Sequence, residues 1–249
     1  MNKNEYAFEI LNIKKIYKNQ KGLKEITASF RRGEITAILG HNGAGKTTLI
    51  KLITKEVKPD AGQILVNNKI PEKEFYDKIG FLPDQNSFPL DYKLKEFIIY
   101  NGVLRGIPRE KVVKKAQTFI DKMGLSKFSK KTFRQLSSGM KKMALLATAM
   151  INDPEVIIMD EPTANMDIEK RAWLLELLVE LSKAGKTVII TSHILDELEK
   201  IIDNLIIIQN GIKKYDQPFD KNQEKLADIY NGINQTDIGN ESHFKDIFK

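Results

Sequence analysis

A glycine-rich segment that ends in lysine and threonine is the clearest chemical feature of this sequence. It matches the pattern G-x-x-x-x-G-K-[ST], in which glycines let the backbone curl so that successive N–H groups point at phosphate oxygens. Lys46 would reach the β- and γ-phosphates, and the Thr47 hydroxyl would ligate Mg²⁺. The segment predicts a nucleotide site whose phosphate contacts are Gly40, His41, Asn42, Gly43, Ala44, Gly45, Lys46, Thr47 and Thr48.

Two adjacent carboxylates follow an apolar run at 156–159. Asp160 would hold Mg²⁺ from the side opposite Thr47. Glu161 follows at the strand end, where a carboxylate can orient or deprotonate an attacking water. An isolated Asp-Glu pair is usually a solvated turn. Here an apolar strand delivers both carboxylates to the same edge of the sheet as the phosphate site, so we expect a catalytic pair.

A third segment, Leu136-Ser137-Ser138-Gly139-Met140, precedes an amphipathic stretch that extends to Ile151. Ser137 and Ser138 supply N-cap oxygens, and the free N–H groups of the helix start can bind an anion. Taken alone, this is an ordinary capped helix.

The elements that must position these groups alternate between strand and helix patterns. Short apolar runs predict buried strands at 35–39, 156–159 and 187–190, and an alternating pattern predicts a half-buried strand from Tyr6 to Ile13. Three- and four-residue spacing predicts helices at 47–54, 93–146 (as several helices, one stopping at Gly124), 169–184 and 195–202. Asn210-Gly211 predicts a tight hairpin within 205–215.

These patterns together predict an α/β fold. We expect a P-loop NTPase core with a mostly parallel sheet, an N-terminal antiparallel β part and an inserted helical lobe.

Composition narrows the classes of function. The 249 residues contain no cysteine, which excludes disulfide scaffolds, thiolate metal sites and cysteine nucleophiles. The net charge of +7 comes from lysines scattered along the chain rather than from a basic stripe, so we expect no nucleic-acid partner. No apolar run is long enough to cross a bilayer, and the first residues do not form a secretory signal, so we expect a soluble protein.

Taken as a set, the motifs resemble the ATP-binding subunit of ABC transporters over about residues 5–215. Residues 136–140 resemble the family's signature sequence, and 164–167 resemble its D-loop. The resemblance implies ATP and Mg²⁺ as cofactors, catalytic roles for Lys46, Glu161 and His193, and stacking of Tyr17 on adenine. It also implies that Ser137, Ser138 and Gly139 contact the γ-phosphate.

Three positions depart from the family pattern. Ser138 replaces the first glycine of the signature sequence, and Met140 replaces its glutamine. Asp84 stands where many relatives carry a glutamine that reaches Mg²⁺ and the attacking water, and Gln85 follows it. Either residue could serve, and the sequence does not choose between them.

The resemblance also implies an assembly. ATP lies between two subunits of this family, so we expect a homo- or heterodimer of ATP-binding subunits attached to a separately encoded membrane permease at the cytoplasmic face of the cell membrane. Residues 1–215 would form the ATP-binding domain, with a helical lobe inserted at about 84–146, and residues 216–249 would form a C-terminal extension.

Three functions fit these motifs. The lobe sequence at 100–108 is similar to drug, antibiotic and bacteriocin exporter subunits, which favours a transporter ATPase working in export. A soluble ABC ATPase of an assembly system, such as the Fe–S assembly type, shares the nucleotide motifs. A repair or translation ATPase should carry a second nucleotide domain or a long coiled-coil insertion, and neither pattern occurs here.

Overall fold

A nine-stranded mixed sheet organises the computed structural model, which describes residues 5–84 and 89–237. The order of the strands across the sheet is β4-β1-β2-β9-β8-β3-β7-β6-β5. The strands are β1 (Tyr6–Ile16), β2 (Gly22–Arg31), β3 (Ile35–Leu39), β4 (Ala61–Leu65), β5 (Ile79–Leu82), β6 (Val156–Asp160), β7 (Thr187–Thr191), β8 (Asn204–Gln209) and β9 (Ile212–Pro218).

The strands β8-β3-β7-β6-β5 form the parallel part of this sheet. Every residue of β3, β6 and β7 is buried, as expected for apolar, partly β-branched strands covered on both faces. Asp160 pairs with Thr191 across β6 and β7, and Ile38 near the end of β3 also pairs with Thr191. The predicted buried strands are therefore confirmed, and their carboxyl ends meet at one edge.

The antiparallel strands lie at the other side of the sheet. β1 pairs with β2 and β4, and the predicted hairpin is confirmed as β8 and β9. Asn210 and Gly211 have φ angles of 49° and 77°, the positive values that a primed hairpin turn requires. The strand β9 extends to Pro218, three residues beyond the predicted end of the hairpin.

Helices cover both faces of the sheet. They are α1 (Lys46–Ile53), α2 (Lys73–Asp77), α3 (Leu94–Leu104), α4 (Arg109–Lys122), α5 (Ser138–Met150), α6 (Ile168–Lys183), α7 (Leu195–Leu198) and α8 (Leu226–Asp237).

Most predicted helices are confirmed within a few residues, but the helix predicted at 195–202 was too long. Helix α7 ends at Leu198, because the chain must turn before β8 begins at Asn204 beside β3. Gly124, at φ 67°, follows the end of α4 as predicted. Helix α8 joins the core through Leu226, which is fully buried.

Two apolar clusters fill the space on either side of the sheet. One joins β3, β6 and β7 to the helices α3–α6, and the other lies beneath α1 and between the antiparallel strands. The helices α3, α4 and α5 contact one another, so the inserted helices form one packed layer beside the parallel strands. Within the described ranges, none of the helices combines the length and apolar character that crossing a bilayer requires.

Candidate nucleotide site

The glycine-rich segment lies between β3 and α1, the strand–loop–helix context that its motif requires. Gly43 and Gly45 have φ angles of 83° and 116°, which side chains other than glycine rarely adopt. A Cβ atom on Gly45 would also lie 2.5 Å from Leu23 Cδ2. Packing and backbone geometry therefore both require glycine at this position, where the loop enters the helix.

A cavity of about 320 Å³ opens at this loop, on the edge where the parallel strands end. It combines the N-terminal end of α1, the carboxyl ends of β6 and β7, and part of the β1–β2 connection. Its lining residues are Tyr17, Lys21, Gly22, Asn42, Gly43, Ala44, Gly45, Lys46, Thr47, Thr48, Asp84, Asp160, Glu161 and His193.

Lys46 is a buried cation in the lining of this cavity. Its Nζ donates to the backbone carbonyls of Gly40 at 2.7 Å and His41 at 3.4 Å, so the loop folds around its own lysine. Burial lowers the pKa of Lys46, while the charges of Glu161 and Asp160 act in the opposite direction. A poorly hydrated ammonium held this way is ready to contact an anionic ligand.

Asp160 and Thr47 bring two oxygen atoms together at the same edge. Thr47 Oγ1 lies 3.2 Å from Asp160 Oδ2, and Thr191 Oγ1 donates to Asp160 Oδ1 at 2.6 Å. Hydroxyl and carboxylate oxygens are the donors that Mg²⁺ prefers. In the described part of the chain, no group of three or more histidine, aspartate or glutamate side chains is arranged to hold a metal ion. The pair therefore fits a Mg²⁺ that also binds phosphate and water.

Glu161 occupies an unusual backbone position. Its φ angle is 48°, in the left-handed region, and its N–H donates to Thr191 Oγ1 at 3.0 Å. Its carboxylate Oε1 lies 3.0 Å from His193 Nε2. Burial raises the pKa of the Glu161 carboxyl group, while His193 and Lys46 lower it. A carboxylate with a raised pKa beside an imidazole is suited to proton transfer.

The residues proposed from sequence fall into two groups. Tyr17, Asp84, Glu161 and His193 line the cavity with residues 42–48, while Gly40 and His41 supply the carbonyls that bind Lys46. Gln85 lies outside the described residues.

Ser137, Ser138 and Gly139 are elsewhere, at the N-terminal end of α5, and are not among the residues that line the cavity. Ser137 is the N-cap, accepting from the Met140 N–H at 3.3 Å, and Ser138 is instead the first helical residue.

Two contacting residues were missed by sequence reasoning. Thr191 bonds both Asp160 and the Glu161 N–H, and it was treated only as the end of a strand. Lys142 is buried, and its Nζ donates to the Glu161 carbonyl at 2.5 Å. The available signal was a lysine in a helix whose neighbouring positions, Met143 and Ala144, are buried and apolar.

A family model described as "ABC transporter" matches residues 23–164, more than half of the chain. The match contains the glycine-rich loop, the signature-like segment and both carboxylates. The chain belongs to the ABC transporter family. A second model, described as "AAA domain, putative AbiEii toxin, Type IV TA system", matches only residues 130–199.

Two curated members of the family are similar to most of this ABC ATPase domain. The linearmycin resistance ATP-binding protein LnrL of Bacillus subtilis is 34% identical over 80% of this chain and 65% of its own length. A Nod factor export ATP-binding protein I from Ralstonia nicotianae is 32% identical over 81% of this chain and 64% of its own length. The chain thus aligns with slightly less than two thirds of each relative.

Solved structures of ABC cassettes share the fold. The cbiO1 protein from Clostridium perfringens, described as part of the ABC transporter complex cbiONQ, matches with a TM-score of 0.75 and 26% identity, over 91% of each chain. A dimeric, post-hydrolysis state of the ATP-binding cassette MJ0796 bound to ADP and Pi matches with a TM-score of 0.76 and 23% identity, over 86% of this chain and 99% of that chain. The predicted α/β P-loop core is therefore confirmed.

Proposed function

We propose that this ABC domain is the ATP-hydrolysing subunit of a transporter, binds Mg-ATP between two such subunits, and drives a separate membrane permease in export. The observation that carries the proposal is the position of the Glu161–His193 pair. Their 3.0 Å contact opens onto the same cavity as Lys46 and the glycine-rich loop. The cavity thus contains both a phosphate-binding surface and a carboxylate that can act on water.

Nucleotide binding uses the loop first. N–H groups of residues 42–48 and the N-terminal end of α1 surround the phosphates, and Lys46 contacts the terminal ones. Thr47 and Asp160 would hold Mg²⁺, which when bound neutralises charge on the phosphates. Tyr17, 36% exposed at the rim, offers a ring on which adenine stacks. Asp84 also faces this cavity, and Gln85 is the adjacent candidate for the same contact.

Hydrolysis requires a water molecule aligned with the terminal phosphate. The Glu161 carboxylate accepts a hydrogen bond and then a proton from that water, since its raised pKa brings it closer to a neutral working pH. His193 contacts the same carboxylate and fixes its orientation. The chain's contribution is mainly positioning and charge stabilisation, as in other phosphoryl transfers.

The second half of the site comes from another cassette. Ser137, Ser138 and Gly139 present the N-terminal end of α5, with both serines exposed. Such a helix end binds anions, and in this proposal it contacts the γ-phosphate held by the opposite subunit. The dimeric arrangement of the MJ0796 cassette supports this, as does the separation of the two segments within one chain.

The remaining parts of the chain have proposed roles in coupling ATP hydrolysis to a permease. Residues 1–215 are the ATP-binding domain, the lobe at about 84–146 contacts the permease, and residues 216–249 are an extension. The subunit then works at the cytoplasmic face of the membrane. The linearmycin resistance and Nod factor export relatives support an exporter, and cbiO1 supports attachment to other transporter subunits.

Recovery of the tagged chain from detergent-solubilised native membranes tests this assignment. We expect a protein with several membrane-spanning segments in stoichiometric amount, identified by mass spectrometry. Recovery with soluble partners alone, from membranes that were intact before solubilisation, would contradict the transporter function and favour an assembly ATPase. The tagged Lys46→Ala chain is the matched sample, since attachment to a permease should survive the loss of ATP binding.

A further inference from the structure

Lys142 is a buried cation outside the cavity lining. Only 6% of the residue is exposed, and its Nζ donates to the backbone carbonyl of Glu161 at 2.5 Å. It projects from α5, whereas Glu161 follows the end of β6. The hydrogen bond therefore joins the signature-bearing helix to the residue that acts on water.

The backbone of Glu161 needs such contacts. A φ angle of 48° is uncommon for a residue with a side chain and persists where surrounding contacts determine it. The Glu161 N–H is bound by Thr191 Oγ1, and its carbonyl is bound by Lys142. Both polar groups of this residue are thus fixed from two different elements, β7 and α5.

The aim of the Glu161 side chain follows from that backbone. Its carboxylate Oε1 lies 3.0 Å from His193 Nε2, and both residues line the cavity. Rotation of φ to an ordinary negative value would redirect the side chain. The Ala164 N–H also donates to this carbonyl, at 3.3 Å, so loss of the Lys142 contact removes one of several restraints that oppose this rotation and the one that comes from α5.

The Lys142 ammonium lies in a buried, partly acidic environment. Burial lowers the pKa of Lys142, and the charges of Asp84, Glu161 and Asp160 oppose that effect. A buried ammonium is costly unless its donors are satisfied, and replacement by an apolar side chain of similar size is often tolerated by a fold. A methionine at 142 would therefore fill the same space without the donor.

We propose that Lys142 is a positioning residue for hydrolysis: it holds the Glu161 backbone in the conformation that directs the carboxylate at the attacking water. The inference rests on the proposed role of Glu161. Ser137, five residues earlier, is the N-cap of the same helix. In this proposal, a movement of the N-terminal end of α5 would change the position of the Glu161 backbone through the Lys142 hydrogen bond.

Steady-state ATP hydrolysis by Lys142→Met, Lys142→Gln and Lys142→Arg tests the proposal. We expect Lys142→Met to lower kcat about 10- to 100-fold with little change in KM, since a misplaced catalytic group costs rate rather than binding. Lys142→Arg keeps a charged donor and should recover most of kcat, and Lys142→Gln, a neutral donor, should recover part. Lys114→Met removes an exposed lysine from α4 and should match wild type.

Three outcomes decide the matter. A folded Lys142→Met chain with wild-type kcat would overturn the proposal. If all three variants lost kcat to the same extent and also lost thermal stability to the same extent, Lys142 would have a packing role only. That result would also overturn the proposal. A parallel Glu161→Gln assay separates the proposed role of Glu161 from that of Lys142. If Glu161→Gln keeps wild-type turnover, the role of Glu161 is contradicted. If Glu161→Gln loses turnover but Lys142→Met keeps it, only the role of Lys142 is contradicted.

Discussion

The two segments that we propose to contact phosphate differ in their surroundings within one chain. The phosphate edge, defined as residues 42–48 with Asp160 and Glu161, encloses a cavity with a buried lysine and two carboxylates. The signature segment, Ser137–Gly139, exposes both serines at a helix start whose cap is its own side chain. The phosphate edge is assembled by strands and a helix of one chain, whereas the signature segment is not part of the lining of that chain's cavity.

This difference predicts which mutations affect a single chain and which affect only an assembled dimer. The phosphate and metal contacts that we propose for residues 42–48 and Asp160 come from one chain, so mutations there should affect nucleotide binding in any state of assembly. Contacts of the signature segment with nucleotide should affect ATP hydrolysis only when a second subunit is present. Lys142 is the structural link between them, since it extends from the helix of the one to the backbone of the other.

Glu161→Gln should have the largest effect, on turnover alone. An amide cannot accept the proton of the attacking water, so we expect kcat to fall about 100- to 1,000-fold while Mg-ATP still binds. Steady-state hydrolysis and an equilibrium ATP titration measure the two quantities. Glu155→Gln is the matched control. Glu155 is exposed, directly precedes β6 and forms an ion pair with Lys78. Wild-type turnover in Glu161→Gln would show that another group handles the water.

Lys46→Ala should instead remove binding. Loss of a charge-assisted contact to the phosphates is expected to weaken ATP affinity by about 100-fold. Fluorescent-nucleotide titration of a dilute chain measures it, and Lys51→Ala, on the same helix but away from the cavity lining, should bind normally. Unchanged affinity in Lys46→Ala would contradict the phosphate site itself.

Ser137→Ala should have the smallest effect on an isolated chain. It removes the N-cap contact to the Met140 N–H, so the free energy of unfolding should fall by about 1 kcal/mol in urea. ATP affinity measured on dilute, monomeric chain should not change, because Ser137 is not part of the cavity lining. Ser138→Ala, one residue inside the helix, should keep wild-type stability. A loss of ATP affinity in the dilute Ser137→Ala chain would break the distinction between the two segments.

The sequence predicted three central parallel strands and the phosphate loop because both depend on local rules, whereas the parallel strand β5 was not predicted. Apolar runs covered on both faces identify β3, β6 and β7, and the glycine spacing identifies the loop that follows β3. The hairpin was equally predictable, since Asn-Gly adopts the positive φ angles that its turn needs.

Long-range contacts explain what the sequence did not reveal. Thr191 bonds Asp160 across two strands, and Lys142 reaches Glu161 from a separate helix, so neither partnership has a fixed spacing along the chain. The end of α7 was also missed, because the position of β8, rather than helix propensity, decides where the chain turns.

The most direct test of the two-segment account mixes two inactive chains. Lys46→Ala lacks the lysine of the glycine-rich loop, and Gly139→Asp places a negative charge at the signature segment. Among the described residues, the atoms nearest to an added Cβ at 139 are Lys170 Cδ at 3.4 Å and Met166 Cγ at 4.0 Å. Each variant alone should hydrolyse ATP poorly. A mixed dimer would contain one intact site, so we predict recovery of up to about a quarter of the wild-type rate on mixing. A mixture no more active than the sum of its parts, when wild-type chain is active alone, would contradict the shared site.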